Sequence, residues 1–467
     1  MNRNKKLGLN VIFMTLGNMA SKMLSFLLIP LYTSVLSTTE YGVADIMTTT
    51  ITLLAPIFTI QINEAVMRFC LDKESDKKKI LSVGITTVGV GFVVLVLCSP
   101  IVFLFENIRL YYGLFLLYYL SSTLYTLLSQ YTKGIEKVKA YAIGGVINTI
   151  IVITSNILFL LVFKIGITGY ILSFVLGNLI TCLYLVAITD VPKSYSIRKF
   201  DKKYFIEMIK YSAPMIPNSI SWWITNSSDK YMVAYILGAA ANGIYSIAYK
   251  IPSLLSTVNG IFMSAWHISA VEEFGSDESK IFFKNIYEML SSLDALLVTG
   301  LIFLAKPLAS FLYAKDFFCA WKFAIVLTLG FMFSSLSSFL GSIYTSSKKT
   351  SALFFTSLLG AVVNIGLNII LIPQMNALGA AIATTFSYIV VWIVRIIDTK
   401  RIFDFKKCLG KNIICMCLLI IQIIANYLEK KNSWIISGII VLIIVGLNVE
   451  FVKVLFKKGN FKGKHKI

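Results

Sequence analysis

Apolar stretches of about twenty residues alternate with short polar connectors along almost the whole chain. A helix needs about 20 mostly apolar residues to cross a hydrocarbon core about 30 Å thick. Fourteen stretches reach that length, near 10–35, 42–66, 80–104, 111–132, 140–163, 167–189, 211–237, 242–266, 285–305, 323–345, 350–372, 376–394, 412–428 and 433–452. The pattern predicts an all-α integral membrane protein of about 14 transmembrane helices. The first, second, seventh and eighth stretches are interrupted by polar side chains. The first holds Asn18, Ser21, Lys22 and Ser25, and the seventh runs from Asn218 to Lys230 through Ser219, Ser221, Thr225, Asn226, Ser227, Ser228 and Asp229. Faces this polar are expected to look at protein or water, because lipid satisfies no hydrogen bond. The longest connectors, 190–210, 267–284 and 395–411, are too short to fold as domains.

Composition narrows the class further. The 467 residues are 57% hydrophobic and 14% charged, with a mean hydropathy of +0.79, where soluble domains carry about 25% charged residues. An ordinary cytosolic enzyme and a disordered chain are excluded. The net charge of +20 raises the question of a nucleic-acid partner, but Lys and Arg are distributed by side. The two termini and alternate connectors hold 33 of the 43, the other seven connectors hold 7, and Lys22, Lys230 and Lys250 lie inside spans. Such a bias predicts both termini in the cytoplasm and explains most of the charge without a nucleic acid. The seven cysteines are odd in number, Cys415 and Cys417 lack metal spacing, and His267 and His465 are the only histidines. No zinc site, disulfide framework or cofactor is expected. The first apolar stretch runs past the short core of a cleavable signal, so none is expected.

The chain also repeats itself. Residues 36–46 read LSTTEYGVADI and residues 237–247 read LGAAANGIYSI, so that Leu36, Gly42 and Ile46 meet Leu237, Gly243 and Ile247 at an offset of 201. Each stretch joins a polar helix to the next, with Pro30 and Pro56 flanking one and Pro214, Pro217 and Pro252 flanking the other. A looser echo links GGVIN (144–148) before GITGYILS (166–173) with GAVVN (360–364) before NALGAAIA (376–383). The expected organisation is an N-lobe of six helices over 1–189, an interlobe linker over 190–210, a second six-helix lobe over 211–394, and two further helices with a basic tail over 395–467. Repeats of this kind build transporters that open a central site alternately to each side.

Four stretches resemble the polysaccharide transporter family, the O-antigen and capsule repeat-unit flippases of the multidrug/oligosaccharidyl-lipid/polysaccharide exporter superfamily. They are GNMASKMLSFLLIPLYTSVLSTTEYGVADIMTT (17–49), Ala65-Val66-Met67-Arg68-Phe69, APMIPNSISWWITNSSDKYMVAYILGAAANGIYSIAYKIPSLL (213–255), and NIGLNIILIPQMNALGAAIATTFSYIV (364–390). The resemblance implies a fourteen-helix, two-lobed protein of the bacterial cytoplasmic membrane. It implies movement of undecaprenyl-diphosphate-linked oligosaccharide from the inner to the outer leaflet, no covalent chemistry, and other polysaccharide-assembly proteins as partners.

Ionisable side chains at bilayer depth cost about 2.5–3.5 kcal/mol each on insertion scales and mark function or pairing. Here they are Lys22, Asp45, Glu64, Asp229, Lys230, Lys250 and Asp294, six of them on the four polar helices. Lys22, Lys230 and Lys250 are the expected contacts for a diphosphate, with Arg68 at the cytoplasmic mouth; lysine offers a point charge that lets the headgroup go again. Asn18, Asn218, Asn226, Trp222 and Trp223 are the expected sugar contacts, through amides and aromatic faces. Asp45, Glu64, Asp229 and Asp294 are the candidate carriers of a driving H+ or Na+. The alternative throughout is structural, with carboxylates and lysines neutralising one another between helices and the tryptophans packing or anchoring at the interface. No phosphate-binding loop is present to couple transport to nucleotide hydrolysis.

Two rival functions are weighed against flipping. A multidrug exporter of the same superfamily would bind organic cations. A membrane-embedded polymerase or glycosyltransferase would be expected to carry a sizeable outer loop or an acidic metal motif, whereas the longest outer connector, 306–322, is mostly apolar.

Overall fold

A computed structural model describes residues 26–72, 74–98, 109–191, 200–274, 279–347, 350–400 and 406–456. All regular structure among them is helical. The contacts divide the chain into two compact units, 1–246 with 312–317, and 247–311 with 318–467.

The first unit holds α1 Ile29–Val35, α2 Thr38–Phe58, α3 Ile62–Cys70, α4 Lys77–Leu97, α5 Tyr112–Gly134, α6 Val138–Ile157, α7 Gly166–Thr189, α8 Lys202–Ser212, α9 Ile216–Leu237 and most of α10 Ala239–Ala248. Local chemistry sets several starts. Ser37 and Glu40 form a capping box on α2, Ser37 Oγ accepting from the Glu40 N–H at 3.2 Å and the Glu40 carboxylate from the Ser37 N–H at 2.9 Å. Glu40 also accepts from Ile167 N at 3.4 Å, which ties the start of α7 to that of α2. The expected second span, 42–66, is broken. Pro56 withholds an N–H near the end of α2, and Ile60 and Gln61 then take left-handed φ values of 51° and 53° before α3 restarts. The expected eighth span, 242–266, is likewise interrupted at Tyr249; Pro252 cannot donate to the Ala248 carbonyl four residues back.

The segment between the two expected lobes docks onto the first unit. Asp201 caps α8 by accepting from the N–H groups of Lys203 at 2.9 Å and Tyr204 at 3.3 Å, and it pairs with Lys79 at 2.9 Å. The Lys79 hydrogen bond chiefly holds its carboxyl below the usual range; burial opposes it, and the Tyr204 and Lys203 N–H groups and the Lys79 charge add to the lowering. A depressed carboxyl contributes stability that is present above the unfolded value, about 3.9, and is lost as pH falls through the folded one. Acidification from pH 5 toward pH 3 is therefore expected to cost the wild type more melting temperature than Asp201→Asn, which already lacks the charge at neutral pH. Thermal unfolding across that range measures the difference, and parallel curves would show the clasp to be idle.

The second unit holds α11 Lys250–Glu273, α12 Ser279–Leu312, α13 Trp321–Ser346, α14 Thr350–Met375, α15 Ala377–Thr399, α16 Lys406–Tyr427, α17 Ser433–Leu447 and α18 Val449–Phe456. Trp266 is its aromatic hub, packing on Phe339 at 4.7 Å and Phe283 at 4.8 Å while its indole N–H donates to Ser342 Oγ at 2.7 Å. The C-terminal helices are bound to the rest through side chains. Thr299 donates to Gln422 Oε1 at 2.8 Å, and Gln422 donates to Thr299 O and to Ser437 Oγ, both at 3.0 Å. Arg395, expected in a cytoplasmic connector, instead lies buried in α15, where Ser337 O at 2.7 Å, Ser357 Oγ at 2.8 Å and Thr356 Oγ1 at 3.1 Å accept its donors. Lys306 and Lys322 converge on Glu429, at 2.7 and 3.4 Å.

Among the described residues nine helices are long and apolar enough to cross a membrane, and Ser433–Leu447 is a shorter apolar one. The chain is a multi-pass membrane protein. The helices Tyr112–Gly134, Ile216–Leu237 and Lys250–Glu273 have the length but carry more polar positions.

Candidate functional site

The repeat found in the sequence meets itself inside the first unit. A Cβ on Gly42 would overlap the Ala239 carbonyl, and a Cβ on Gly243 would overlap the Thr38 carbonyl. The two collisions are the same contact seen from either side, since Thr38 and Ala239 share the offset that relates the glycines. Only glycine at both places lets the starts of α2 and α10 approach backbone to backbone. Asn242 Nδ2 adds a bond to Gly42 O at 3.1 Å.

That crossing delivers the polar cluster beside it. Asp45 lies one turn along α2 and Ser246 at the matching place on α10, and the Ser246 hydroxyl donates to Asp45 Oδ2 at 2.8 Å. Lys230 of α9 donates to the other carboxylate oxygen at 2.9 Å, with both side chains largely covered. Asp229, adjacent in sequence, points elsewhere because neighbours on a helix diverge by about 100°. It is buried and accepts from the Tyr245 hydroxyl at 2.6 Å. From this cluster α9 runs antiparallel along α2 toward the break at Ile60 and Gln61. Tyr231 bonds Thr50, the Trp223 indole donates to Thr49 O at 2.9 Å, Gln61 bonds Ser219, and Ser212 donates to Ile60 O at 2.7 Å.

The other face of α9 is open. Asn218, Trp222 and Asn226 recur at four-residue intervals and are all exposed, Trp222 to 57%. Of the adjacent tryptophans, Trp222 belongs to this open stripe, while Trp223 is turned inward against Tyr231 at 5.2 Å.

Glu64 on α3 accepts from Gln130 at 2.9 Å and Asn63 at 3.3 Å, and Arg68, one turn on, is exposed. Lys250 opens α11, half-buried, and Asp294 is fully buried in α12, both in the second unit. Lys22 and Asn18 fall outside the described residues. Sequence reasoning did not single out Ser246, Asn242, Tyr245 or Gln130. The offset of 201 was a usable signal for Ser246, which stands opposite Asp45 in the repeat; nothing in the pattern pointed to Gln130. No group of three or more His, Cys, Asp or Glu able to hold a metal occurs among the described residues.

Helices long and apolar enough to cross a membrane thus lie beside a largely covered ion pair that joins α2 to α9. Comparison with solved structures gives the fold. A lipid II flippase MurJ in an inward closed conformation superposes with a TM-score of 0.73 at 18% identity, covering 96% of this chain and 99% of that one. An inward-facing multidrug resistance MATE family transporter of the MOP superfamily superposes with a TM-score of 0.70 at 13% identity, covering 81% and 94%. Among curated proteins, a probable lipid II flippase MurJ of Thermotoga maritima is 28% identical over 48% of this chain, and the capsular polysaccharide biosynthesis protein CapF of Staphylococcus aureus is 25% identical over 48%. The matches span 47% and 59% of those two proteins' own lengths. The family described as "Polysaccharide biosynthesis protein" matches residues 7–267, more than half of the chain, and the protein belongs to it. The flippases and transporters among these matches are what the chain is similar to.

Proposed function

We propose that this protein flips undecaprenyl-diphosphate-linked oligosaccharide from the cytoplasmic to the outer leaflet by alternating access between an N-lobe over 1–189 and a second lobe over 211–394, with no catalytic step. The observation that carries the reading is the amphipathic character of α9, with a lysine anchored on one side and an open amide–tryptophan stripe on the other. A lipid diphosphate headgroup needs cations, and a glycan needs amides and an aromatic face; one helix offers both. Lys230 exchanges Asp45 for the diphosphate, with Lys22 and Lys250 as further cations and Arg68 as the entry contact. Asn218, Trp222 and Asn226, with Asn18, meet the sugars, whereas Trp223 serves packing.

Fourteen spans follow when the first apolar stretch, the three more polar long helices and Ser433–Leu447 join the nine. Both termini are then cytoplasmic. Side-to-side contacts support the alternation, since Lys79 meets Asp201 from two connectors predicted cytoplasmic and Lys306 and Lys322 of one predicted outer connector meet Glu429 of another. Outward movement of two negative charges gains about 4–5 kcal/mol across 100 mV of inside-negative potential, and an inward cation adds to it. Asp45, Glu64, Asp229 and Asp294 are the carboxylates available to such an ion.

The test is complementation of a strain lacking its repeat-unit flippase. Lys22→Ala and Asn218→Ala/Trp222→Ala are expected to reach the membrane at normal level and fail to complement, with lipid-linked glycan accumulating on the cytoplasmic leaflet. Full complementation by both variants would remove these residues from the path. Resistance to organic cations conferred by the wild type, without glycan export, would favour the multidrug alternative.

A further inference from the structure

The connectors predicted to be outer hold only 7 of the 43 Lys and Arg, yet four of those seven gather at one place in the second unit. Lys306 near the end of α12 and Lys322 at the start of α13 share the Glu429 carboxylate. Lys306 donates to Oε1 at 2.7 Å, and Lys322 lies 3.4 Å from Oε2. Lys430 and Lys431 follow directly in the short turn from α16 to α17, and both are exposed. That turn is tight, with Glu429 at a left-handed φ of 48° and the Ser433 N–H donating to Lys430 O at 2.8 Å. Aromatic rings back the two paired ammoniums. The Trp321 ring centre lies 5.6 Å from Lys306 Nζ and 5.7 Å from Lys322 Nζ, and that of Tyr427 lies 5.6 Å from Lys322 Nζ.

Four lysines against Glu429 leave a surplus of positive charge at this spot. The bias that empties outer connectors of Lys and Arg works against such a cluster, and the lysines repel one another. The carboxylate offers one oxygen to each of two lysines, whereas every ammonium carries three donors, so Glu429 does not answer them all. The surroundings say where a counter-charge would come from. Phe311, Leu428 and Trp434, close to the cluster along the chain, are exposed to 73%, 55% and 66%, which marks this edge as facing lipid. Tyrosine and tryptophan at the ends of membrane helices sit at headgroup depth. A group that is anionic and held at that depth is the phosphate of a lipid, and lysine binds phosphate as a point charge. A soluble anion would have no use for the apolar rim.

We propose that Lys306, Lys322, Lys430 and Lys431 form a binding site for the phosphate of an anionic lipid, where the ends of α12, α13 and α16 meet. The assignment to the outer leaflet rests on the sidedness of the reading above. On that reading a lipid diphosphate reaches the site after crossing, and a resident anionic phospholipid offers the same chemistry. Binding is measured without transport, so its failure leaves flipping standing and failure of flipping leaves the site standing.

The test titrates the full chain in detergent with phosphatidylglycerol or phosphatidylcholine of the same acyl chains and follows bound lipid by native mass spectrometry. Phosphatidylglycerol is expected to bind more tightly than phosphatidylcholine. Lys430→Gln/Lys431→Gln, which leaves both ion pairs on Glu429 in place, is expected to weaken the tightest phosphatidylglycerol adduct about tenfold. Glu429→Gln, which removes the negative charge from the cluster, is expected to tighten it, a change of sign that loss of stability would not produce. Lys202→Gln/Lys210→Gln, which removes two exposed lysines of α8, is expected to leave it unchanged. Competition with undecaprenyl diphosphate then separates the sources: displacement at far below equimolar amounts assigns the site to the diphosphate lipid, and displacement only at comparable amounts assigns it to the resident phospholipid. Equal binding of the two phospholipids would overturn the proposal. So would an unchanged adduct in Lys430→Gln/Lys431→Gln, an equal loss in the α8 variant, or weaker binding in Glu429→Gln.

Discussion

Alanine at Gly42 or at Gly243 is expected to destabilise the protein by about 1–3 kcal/mol or more and to abolish function, because neither collision can be relieved by a side chain. Each added methyl would meet a backbone carbonyl, that of Ala239 or that of Thr38, so the helices must part. Parting them also separates Ser246 from Asp45 and Asn242 from the Gly42 carbonyl. The effect should therefore exceed that of a single overpacked core position. Gly89→Ala is the matched control. Its Cβ would meet nothing within 4 Å, and replacing a mid-helix glycine stabilises by about 0.5–1 kcal/mol. Melting temperatures of the three purified variants, with complementation alongside, provide the comparison. A Gly42→Ala protein as stable as wild type would mean that α2 and α10 do not cross here.

The second large effect belongs to the Asp45–Lys230 pair. Removing one partner of a buried pair costs about 3–5 kcal/mol, since the other charge is left uncompensated. These side chains keep 17% and 16% exposure, which puts Lys230→Met and Asp45→Asn at the lower end of that range. The double variant leaves no charge behind and is expected to recover most of the stability, as neutral replacement of buried pairs does elsewhere. Complementation is expected to stay absent in the double variant, because Lys230 is proposed to receive the diphosphate. Stability and transport thus separate between the single variants and the double one. A double variant that transports normally would reduce the pair to a helix clamp.

Much of this was legible along the chain. Among the described residues, nine helices long and apolar enough to span follow from the apolar runs, whereas the capping box that starts α2 at Ser37 and Glu40 was not read from the sequence. The repeat placed Gly42 in register with Gly243 and Asp45 with Ser246, but register is not contact. That the two copies touch, glycine to glycine, depends on how helices some 200 positions apart come together. The choice between Trp222 and Trp223 had the same character, because adjacent residues present different faces and only the position of α2 shows which one is covered. The break at Ile60 and Gln61 was also hidden, since neither residue type favours a left-handed turn; Pro56 was the sole local sign.

Membrane insertion was therefore determined by the sequence alone, because the transfer of each segment from water to lipid sums over its own side chains. Which buried charge meets which partner was decided only by tertiary structure. A lysine at bilayer depth announces that it needs a counter-charge, but Asp45, Asp229 and Glu64 meet that need equally on paper. Packing gave Asp45 to Lys230, Asp229 to Tyr245 and Glu64 to Gln130.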